Sequence, residues 1–234
     1  MKMFAFGRAP AIAVAVAVSL AAAHSASFDP ALDFSFTENP NGPWSYGYFQ
    51  TPDGPFIPHA TSGGGSGLDL WNTEISIGLP WIVRNSSASP VNWSGTTVFA
   101  PGALSLHPGP QGEVEILRFT VPSDGQYLIS GEFFGQDYVG PTTTDVHILL
   151  NGASIFDDVV SDYGISHPFS TALMLGSGSH LDFAVGFGSN QTYLYDSTGL
   201  AATITLVPEP TTLTFAGVAA GLLCAIRRAR SRAW

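Results

Sequence analysis

The central part of the sequence, residues 27–206, predicts an all-β fold, an antiparallel β-sandwich of the jelly-roll type. Glycine and proline interrupt this part every few residues, and β-branched and aromatic residues fill the intervals. No amphipathic helical pattern occurs between Phe28 and Leu206, and several stretches alternate apolar and polar residues. About ten to twelve strands, with turn signals roughly every 8–12 residues, favour a sandwich, with an open barrel as the alternative.

Two segments show the strand pattern most clearly. Apolar residues recur at every second position around Phe183, and a similar alternation surrounds Ile148. Asn151-Gly152 follows the second segment and predicts a type I′ hairpin turn, because both central residues of that turn need a positive φ. We expect the following side chains to be buried in the core: Phe119, Leu128, Val146, Ile148, Phe183, Val185 and Phe187.

Charge is distributed unevenly along the chain. Residues 27–207 contain 17 acidic side chains against two arginines, Arg84 and Arg118, which leaves a net charge of −15. A body this acidic repels nucleic acid and anionic lipid head groups, so nucleic-acid binding is excluded. The single cysteine, Cys224, excludes an intrachain disulfide.

The N-terminal segment, residues 1–26, has the three parts of a signal peptide. Lys2 and Arg8 precede the apolar run Ala11–Ala23, and small and polar residues follow it. The alternative is a first transmembrane helix, but a run of about 13 residues spans only about 20 Å of a hydrocarbon core of roughly 30 Å. We therefore expect the mature protein to begin near His24–Phe28.

The C-terminal segment, residues 207–234, also has three parts. It opens on a Val-Pro-Glu-Pro motif formed by Val207, Pro208, Glu209 and Pro210. An uncharged stretch follows up to Ile226 and predicts a helix of about 24 Å, long enough to cross a thin membrane. Four arginines then predict a cytoplasmic end by the positive-inside tendency, namely Arg227, Arg228, Arg230 and Arg232.

This tail resembles the PEP-CTERM sorting signal of bacteria, which has the same three parts in the same order. The resemblance implies that an exosortase-type processing enzyme is a partner, with Glu209 as a recognition residue. It also implies a precursor anchored in the inner membrane, whose body is then passed to the cell surface or the extracellular matrix. A permanent single-pass anchor is the alternative.

The body carries a second resemblance. It covers Arg118–Thr205 and rests on three segments: Gly-Gln-Tyr-Leu-Ile-Ser-Gly at 125–131, Asp-Val-His-Ile-Leu-Leu-Asn-Gly at 145–152 and Asp-Ser-Thr-Gly-Leu at 196–200. With these segments the body is similar to the galactose-binding-like jelly rolls of carbohydrate-binding modules. This resemblance supports the predicted fold more than any particular ligand.

The sequence has no recognisable catalytic motif. It lacks a Gly-x-Ser-x-Gly elbow, and its histidines are dispersed without a His-Glu-x-x-His pair. The glycine-rich stretch Thr61–Gly67 predicts a flexible loop, since neither a lysine nor a helix follows to bind phosphate. An enzymatic interpretation would rest on two local pairs of carboxylates, Glu113/Glu115 and Asp157/Asp158.

Two kinds of binding residue are predicted. Asp137, Asp145 and Asp196 adjoin Gly- or Thr-rich turns, and carboxylates in loops are typical ligands of a structural calcium ion, the one cofactor we expect. The alternative is that they are solvated surface acids. Among the many aromatic residues, which we expect mostly in the core, Trp93 is flanked by polar residues and is predicted to be exposed for stacking on a sugar.

The function predicted from these features is that of an exported surface or extracellular-matrix protein. Its role is expected to be non-enzymatic, either structural or glycan-binding, with extracellular polysaccharide as the partner. The alternative is a secreted polysaccharide-active enzyme, a glycoside hydrolase or lyase. A hydrolase would need two carboxylates from separate strands about 5–10 Å apart in a cleft.

Overall fold

The computed structural model of the protein describes residues 25–73 and 80–208. Both ranges are all-β with antiparallel pairing, as predicted. The predicted signal peptide up to His24 lies outside the described residues, as do Glu209, Pro210, the predicted transmembrane helix and Arg227–Arg232. Within the described ranges, no helix has the length and apolar character needed to cross a bilayer.

The described residues form sixteen strands, more than the ten to twelve predicted, because several are only two to five residues long. In chain order they are β1 Ser27–Phe28, β2 Trp44–Phe49, β3 Phe56–Pro58, β4 Thr61–Gly65, β5 Leu68–Asn72, β6 Trp81–Asn85, β7 Val91–Trp93, β8 Thr97–Phe99, β9 Leu104–His107, β10 Val114–Thr120, β11 Gly125–Gly135, β12 Thr144–Leu150, β13 Ala153–Val160, β14 Ser166–Leu175, β15 His180–Gly186 and β16 Thr198–Val207.

These strands form two large sheets and one small ribbon. The eight-stranded sheet has the order β14-β11-β16-β9-β6-β5-β4, and β1 pairs with β16 at its side. The six-stranded sheet has the order β13-β12-β15-β10-β2-β3. Strands β7 and β8 form a separate two-stranded ribbon. The order contains many crossovers between the sheets, which is typical of a sandwich rather than an up-and-down barrel.

The two large sheets share one core. It is rich in aromatic residues from both sheets, and its largest fully buried side chains include Trp44, Tyr46, Phe119, Tyr127, Phe133 and Phe183. The ring of Phe183 packs against those of Phe133 and Phe169, with centroids 6.5 and 5.9 Å away. The predicted burial of Phe119, Val146, Ile148, Phe183 and Val185 is confirmed.

Two of the predicted core positions are wrong. Leu128 is 41% exposed, because Tyr127 and Ile129 on either side of it face the core and strand alternation turns Leu128 outward. Phe187 is half-buried, since it lies one residue beyond the end of β15 and no longer follows the alternation of that strand.

The Asn151-Gly152 turn is confirmed. It joins β12 to β13, and its residues have φ values of 50° and 85°, as a type I′ turn requires. The turn places β13 at the outer edge of the six-stranded sheet.

The flexible loop predicted at Thr61–Gly67 is wrong. Residues Thr61–Gly65 form the edge strand β4, and only Ser66 and Gly67 make the turn into β5. Glycine can pair in a sheet through its main chain, and at Gly64 an added Cβ would lie 2.9 Å from the carbonyl oxygen of Leu68. The absence of a side chain therefore permits this pairing rather than preventing it.

Strands β5 and β6 are apolar on both faces. Trp71 and Ile82 face the main core, whereas Leu70 and Val83, one position along, face the opposite way. On that opposite face they form a second small cluster with Phe99 of the ribbon. The β7–β8 ribbon therefore covers one end of the eight-stranded sheet from the outside.

Candidate functional site

A pocket of about 770 Å³ lies between the outer face of the eight-stranded sheet and the β7–β8 ribbon. We call it the ribbon pocket. Strands β4, β5, β6 and β9 line one side of it, and the ribbon and residues 193–197 line the other. Its volume falls within the range of roughly 300–1,000 Å³ that is usual for small-molecule sites.

The floor of the ribbon pocket is apolar. Leu68, Val83 and Phe99 are almost fully buried there, and Leu70 and Trp81 pack against them. The ring of Trp81 meets that of Phe99 edge-on, with centroids 5.9 Å apart. This floor exists because β5 and β6 continue their apolar alternation on the side that faces away from the sandwich core.

An aromatic wall rises from this floor. His107, the last residue of β9, lies between Trp81 and Tyr193, with ring centroids 5.1 and 6.1 Å away. Burial lowers the pKa of His107, against smaller opposite effects from the Pro108 carbonyl and from Asp137, so the ring is neutral at pH 7.

The hydrogen bonding of His107 fixes the tautomer of its neutral ring. Its Nδ1 lies 2.8 Å from the carbonyl oxygen of Pro108, which can only accept, so Nδ1 carries the proton. The described residues provide no hydrogen-bond partner for Nε2. In the neutral ring Nε2 is therefore an acceptor available to a hydroxyl group of a ligand.

Asp137 forms the polar side of the ribbon pocket. The residue is 3% exposed, and its carboxylate accepts hydrogen bonds from the hydroxyls of Thr96 and Thr97 and from the backbone N–H of Ser197. These bonds connect the segment after β11 to the ribbon and to the start of β16. Asp137 therefore holds the pocket's walls together.

The ribbon itself is fixed to the sheet by buried hydrogen bonds. Asn85, which is fully buried at the end of β6, donates to the carbonyl oxygen of Phe99 at 2.9 Å. The backbone of β8 also pairs with the segment after β11, through the N–H of Val98 and the carbonyl of Gln136 at 3.1 Å. The ribbon that covers the pocket is therefore held in a fixed position on the sheet.

Trp93 lies at the mouth of the ribbon pocket and is 46% exposed, so its predicted exposure is confirmed. The expectation that the other aromatic residues lie mostly in the core is confirmed for Trp44, Tyr46, Tyr48 and Trp71, whereas Trp81 is only partly buried.

The sequence interpretation did not identify Trp81, His107 and Tyr193 as site residues. The alternation of β6 and β9 contains a signal for the first two, because their neighbours Ile82 and Leu106 face the core. Trp81 and His107 must then face outward, where an aromatic residue needs a cover or a ligand. Tyr193 lies in an irregular segment, for which no such rule exists.

The three aspartates predicted to bind calcium lie in one region but do not converge. Burial raises the pKa of Asp196 to about 7, and the nearby charges of Asp137 and Asp145 act in the same direction. Both carboxylate oxygens of Asp137 accept hydrogen bonds from the protein, and those of Asp145 bond the Gly188 N–H and His147.

In Asp196, the third predicted ligand, the carboxylate oxygen Oδ2 is buried and has no hydrogen-bond partner in the described part of the chain. Across residues 25–73 and 80–208, no group of three acidic, histidine or cysteine side chains is arranged to share a metal ion. The calcium ion stays a prediction.

The two local carboxylate pairs lie away from the ribbon pocket. Glu113 and Glu115 are buried, and burial raises the pKa of Glu115 to about 7 although His59 lies 3.0 Å away and acts in the opposite direction. Asp157 and Asp158 lie on exposed β13 and bond to histidines of the neighbouring strands.

Comparisons with known proteins give no family. No family model matches the chain, and no curated protein matches it. Among solved structures, a family 35 carbohydrate-binding module from Clostridium thermocellum covers 62% of this chain and 95% of its own, at 12% identity and a TM-score of 0.32.

Two further structures give similar values. The CBM51 of Clostridium perfringens GH95, in complex with methyl-galactose, covers 63% of this chain and 94% of its own, at 9% identity and a TM-score of 0.33. Rabbit GITRL covers 40% and 74%, at 18% identity and a TM-score of 0.29. Two of these three structures are carbohydrate-binding modules. All three TM-scores are below 0.5, so these likenesses assign no function to this chain.

Proposed function

We propose that the protein is an exported bacterial surface or extracellular-matrix protein whose β-sandwich binds glycans in the ribbon pocket without cleaving them. One observation carries this proposal. A tryptophan that is 46% exposed, Trp93, stands at the mouth of a pocket of about 770 Å³ with an apolar floor and hydrogen-bonding groups at its sides.

This arrangement suits the two-sided chemistry of a sugar. The C–H face of a pyranose packs on an aromatic ring, and the hydroxyls at its edge need hydrogen-bond partners. Trp93 and the wall of Trp81, His107 and Tyr193 supply aromatic surface, and Nε2 of His107 supplies an acceptor. A large aromatic side chain left exposed beside a concave surface is typical of a binding site.

The alternative, a polysaccharide-active enzyme, needs two carboxylates on opposite sides of the scissile bond. Of the described residues that line the ribbon pocket, Asp137 is the one carboxylate, and its oxygens are already bonded by Thr96, Thr97 and Ser197. This favours binding over hydrolysis.

Export and sorting form the second part of the proposal. The last strand, β16, ends at Val207, and Pro208 cannot donate a backbone hydrogen bond to continue it. The Val-Pro-Glu-Pro motif thus begins where the sheet ends. An exosortase-type enzyme recognising Pro208-Glu209-Pro210 would release an acidic body to the surface or matrix, where extracellular polysaccharide is the available partner.

The test of binding is a glycan array and calorimetric titration with the full-length protein, its Trp93→Ala variant and a Phe36→Ala control. Phe36 is 45% exposed, close to the value for Trp93, but does not line the pocket. We expect Trp93→Ala to weaken binding of the retained glycans by about tenfold or more, the value for losing one aromatic stacking platform, and Phe36→Ala to leave it unchanged.

Two outcomes would contradict the proposal. One is the absence of binding to any glycan of the array at about millimolar concentration. The other is release of reducing ends from a bound polysaccharide by the wild-type protein, which would establish the enzymatic alternative.

A further inference from the structure

Among the described residues, no lysine or arginine lines the ribbon pocket. The described residues contain two basic side chains besides histidine, Arg84 and Arg118. Arg118 makes a bidentate ion pair with Asp182 at 2.7 and 2.8 Å and stacks over Phe56 in the six-stranded sheet. Arg84 neighbours Val83 in β6 and by strand alternation faces away from the pocket. Neither guanidinium can therefore pair with an anion bound there.

A negative charge lines the same pocket. Asp137 accepts three hydrogen bonds from protein donors, as a carboxylate does, and it is close enough to His107 to affect that ring's pKa. A second anion brought into this partly desolvated space would meet like charge with no compensating cation. The site therefore opposes any ligand that carries a carboxylate, sulfate or phosphate group.

The pocket floor adds a further selection. Leu68, Leu70 and Val83 line it from the sheet, and Phe99 lines it from the ribbon. A sugar hydroxymethyl group placed on this floor would leave its hydroxyl without a partner, whereas a methyl group would only lose contact with water. Other lining residues are polar, among them Asp137, His107 and Asn72, whose buried Oδ1 has no hydrogen-bond partner among the described residues.

We propose that the ribbon pocket selects uncharged sugars that carry an apolar substituent, such as a 6-deoxy methyl group, and rejects acidic sugars. This inference rests on the proposed glycan-binding function of the same pocket. It narrows the partner to neutral or deoxy-sugar polysaccharides, although acidic polymers are common outside bacterial cells.

The probes are three methyl glycosides that differ in one group. Methyl galactoside, its 6-deoxy form and methyl galacturonoside carry CH₂OH, CH₃ and COO⁻ at C5, and the corresponding glucose series covers the other configuration at C4. Each is titrated into the full-length protein at low salt, with tryptophan fluorescence and calorimetry as readouts. We expect the 6-deoxy sugar to bind about fourfold more tightly than its parent, and the uronate at least about tenfold more weakly than the parent.

Asp137→Asn isolates the charge. The amide keeps the shape but cannot accept hydrogen bonds on both sides as the carboxylate does, so affinity for the parent sugar is expected to fall as well. The readout is therefore the ratio of parent to uronate affinity, which we expect to shrink severalfold. Asp53→Asn removes an equal charge at an exposed position outside the pocket and should leave the ratio unchanged. If Asp137→Asn fails to fold, the salt dependence of the wild type replaces it, because screening must narrow the gap between uronate and parent.

The outcomes distinguish failure of the selectivity from failure of glycan binding. A uronate that binds as tightly as its parent overturns the charge selection, and a 6-deoxy sugar that binds no better overturns the apolar selection, while glycan binding itself stands. If neither series nor any array glycan binds, the proposed function fails and the inference fails with it.

Discussion

The two faces of strands β5 and β6 offer a comparison within a single piece of sheet. On the inner face, Trp71 and Ile82 are enclosed by the aromatic core of the sandwich. On the outer face, Leu70 and Val83 are covered by a ribbon of two three-residue strands, which leaves a pocket of about 770 Å³. The same alternation of apolar residues thus builds a closed core on one side and a binding site on the other. The size of the covering element makes the difference.

The largest effect is expected from opening the closed side. Phe183 is fully buried against Phe133 and Phe169, so Phe183→Ala should lower the free energy of unfolding by an amount near the upper end of about 3–5 kcal/mol. Chemical denaturation measures the change, with Phe36→Ala as a control expected within about 0.5 kcal/mol of wild type. A loss below about 1 kcal/mol would mean that the core is not closed around Phe183.

A smaller effect is expected from the equivalent change under the ribbon. Phe99 is also fully buried, but it packs in a small cluster beside a pocket that water can reach. Phe99→Ala should cost about 3 kcal/mol, the lower end of the range for such changes, and should abolish glycan binding by removing part of the floor. Denaturation and titration of the same sample check both. Equal losses of unfolding free energy for Phe99→Ala and Phe183→Ala would mean that the ribbon encloses Phe99 as tightly as the sandwich core encloses Phe183.

The free energy of unfolding is expected to depend on pH through Asp196. Because burial raises the pKa of Asp196 to about 7, the folded protein holds this proton more tightly than the unfolded chain does. The stability from this group is complete below its ordinary value near 4 and is lost as pH rises through 7. We expect the loss of stability between pH 5 and pH 8 to be smaller by roughly 2 kcal/mol in Asp196→Asn than in wild type.

Denaturation at several pH values measures this difference, and comparison with wild type cancels contributions from other groups such as Glu115. An identical pH dependence in the two proteins would mean that Asp196 is ionised in the folded state.

The smallest effect is expected from removing the tail. The sheet ends at Val207, so a chain truncated after that residue should match the full-length body in thermal stability to within about 0.5 kcal/mol. In the native host, Glu209→Ala should leave unprocessed protein in the membrane fraction, as fractionation would measure. Aggregation of the truncated chain would make the tail part of the fold instead.

Most of the fold follows from sequence patterns that are local. The strand around Phe183 and the Asn151-Gly152 turn could each be predicted from the residues that form them. The alternation of a strand and the positive φ values of a turn are set by neighbouring residues. The structure of the segment Thr61–Gly65 does not follow from its local sequence. Its strand forms by pairing with β5 and not through any preference of its own glycines. The position of Leu128 was also not predictable from local sequence, because a shift of one residue in the alternation of the strand moves its side chain from one face of the sheet to the other.

The candidate site could be predicted in part. The polar neighbours of Trp93 indicated its exposure, and Asp137 was selected for its acidity near a turn, although the structure gives it three protein hydrogen bonds. The pocket itself depends on which strands lie side by side: β9 reaches β6 only through the order of the whole sheet, and this brings His107 against Trp81. No local pattern contains that order.

The glycines of β4 have a practical consequence for the size of the site. Gly64 and Gly65 line the ribbon pocket with bare main chain, so that edge of the opening is as wide as a strand without side chains allows. An added Cβ at Gly64 would collide with the backbone of β5, but at Gly65 it would meet no atom within 4 Å. The side chain at position 65 can therefore set the width of the pocket entrance. Alanine, serine or valine there would narrow the entrance in steps without changing the structure of the β-sandwich.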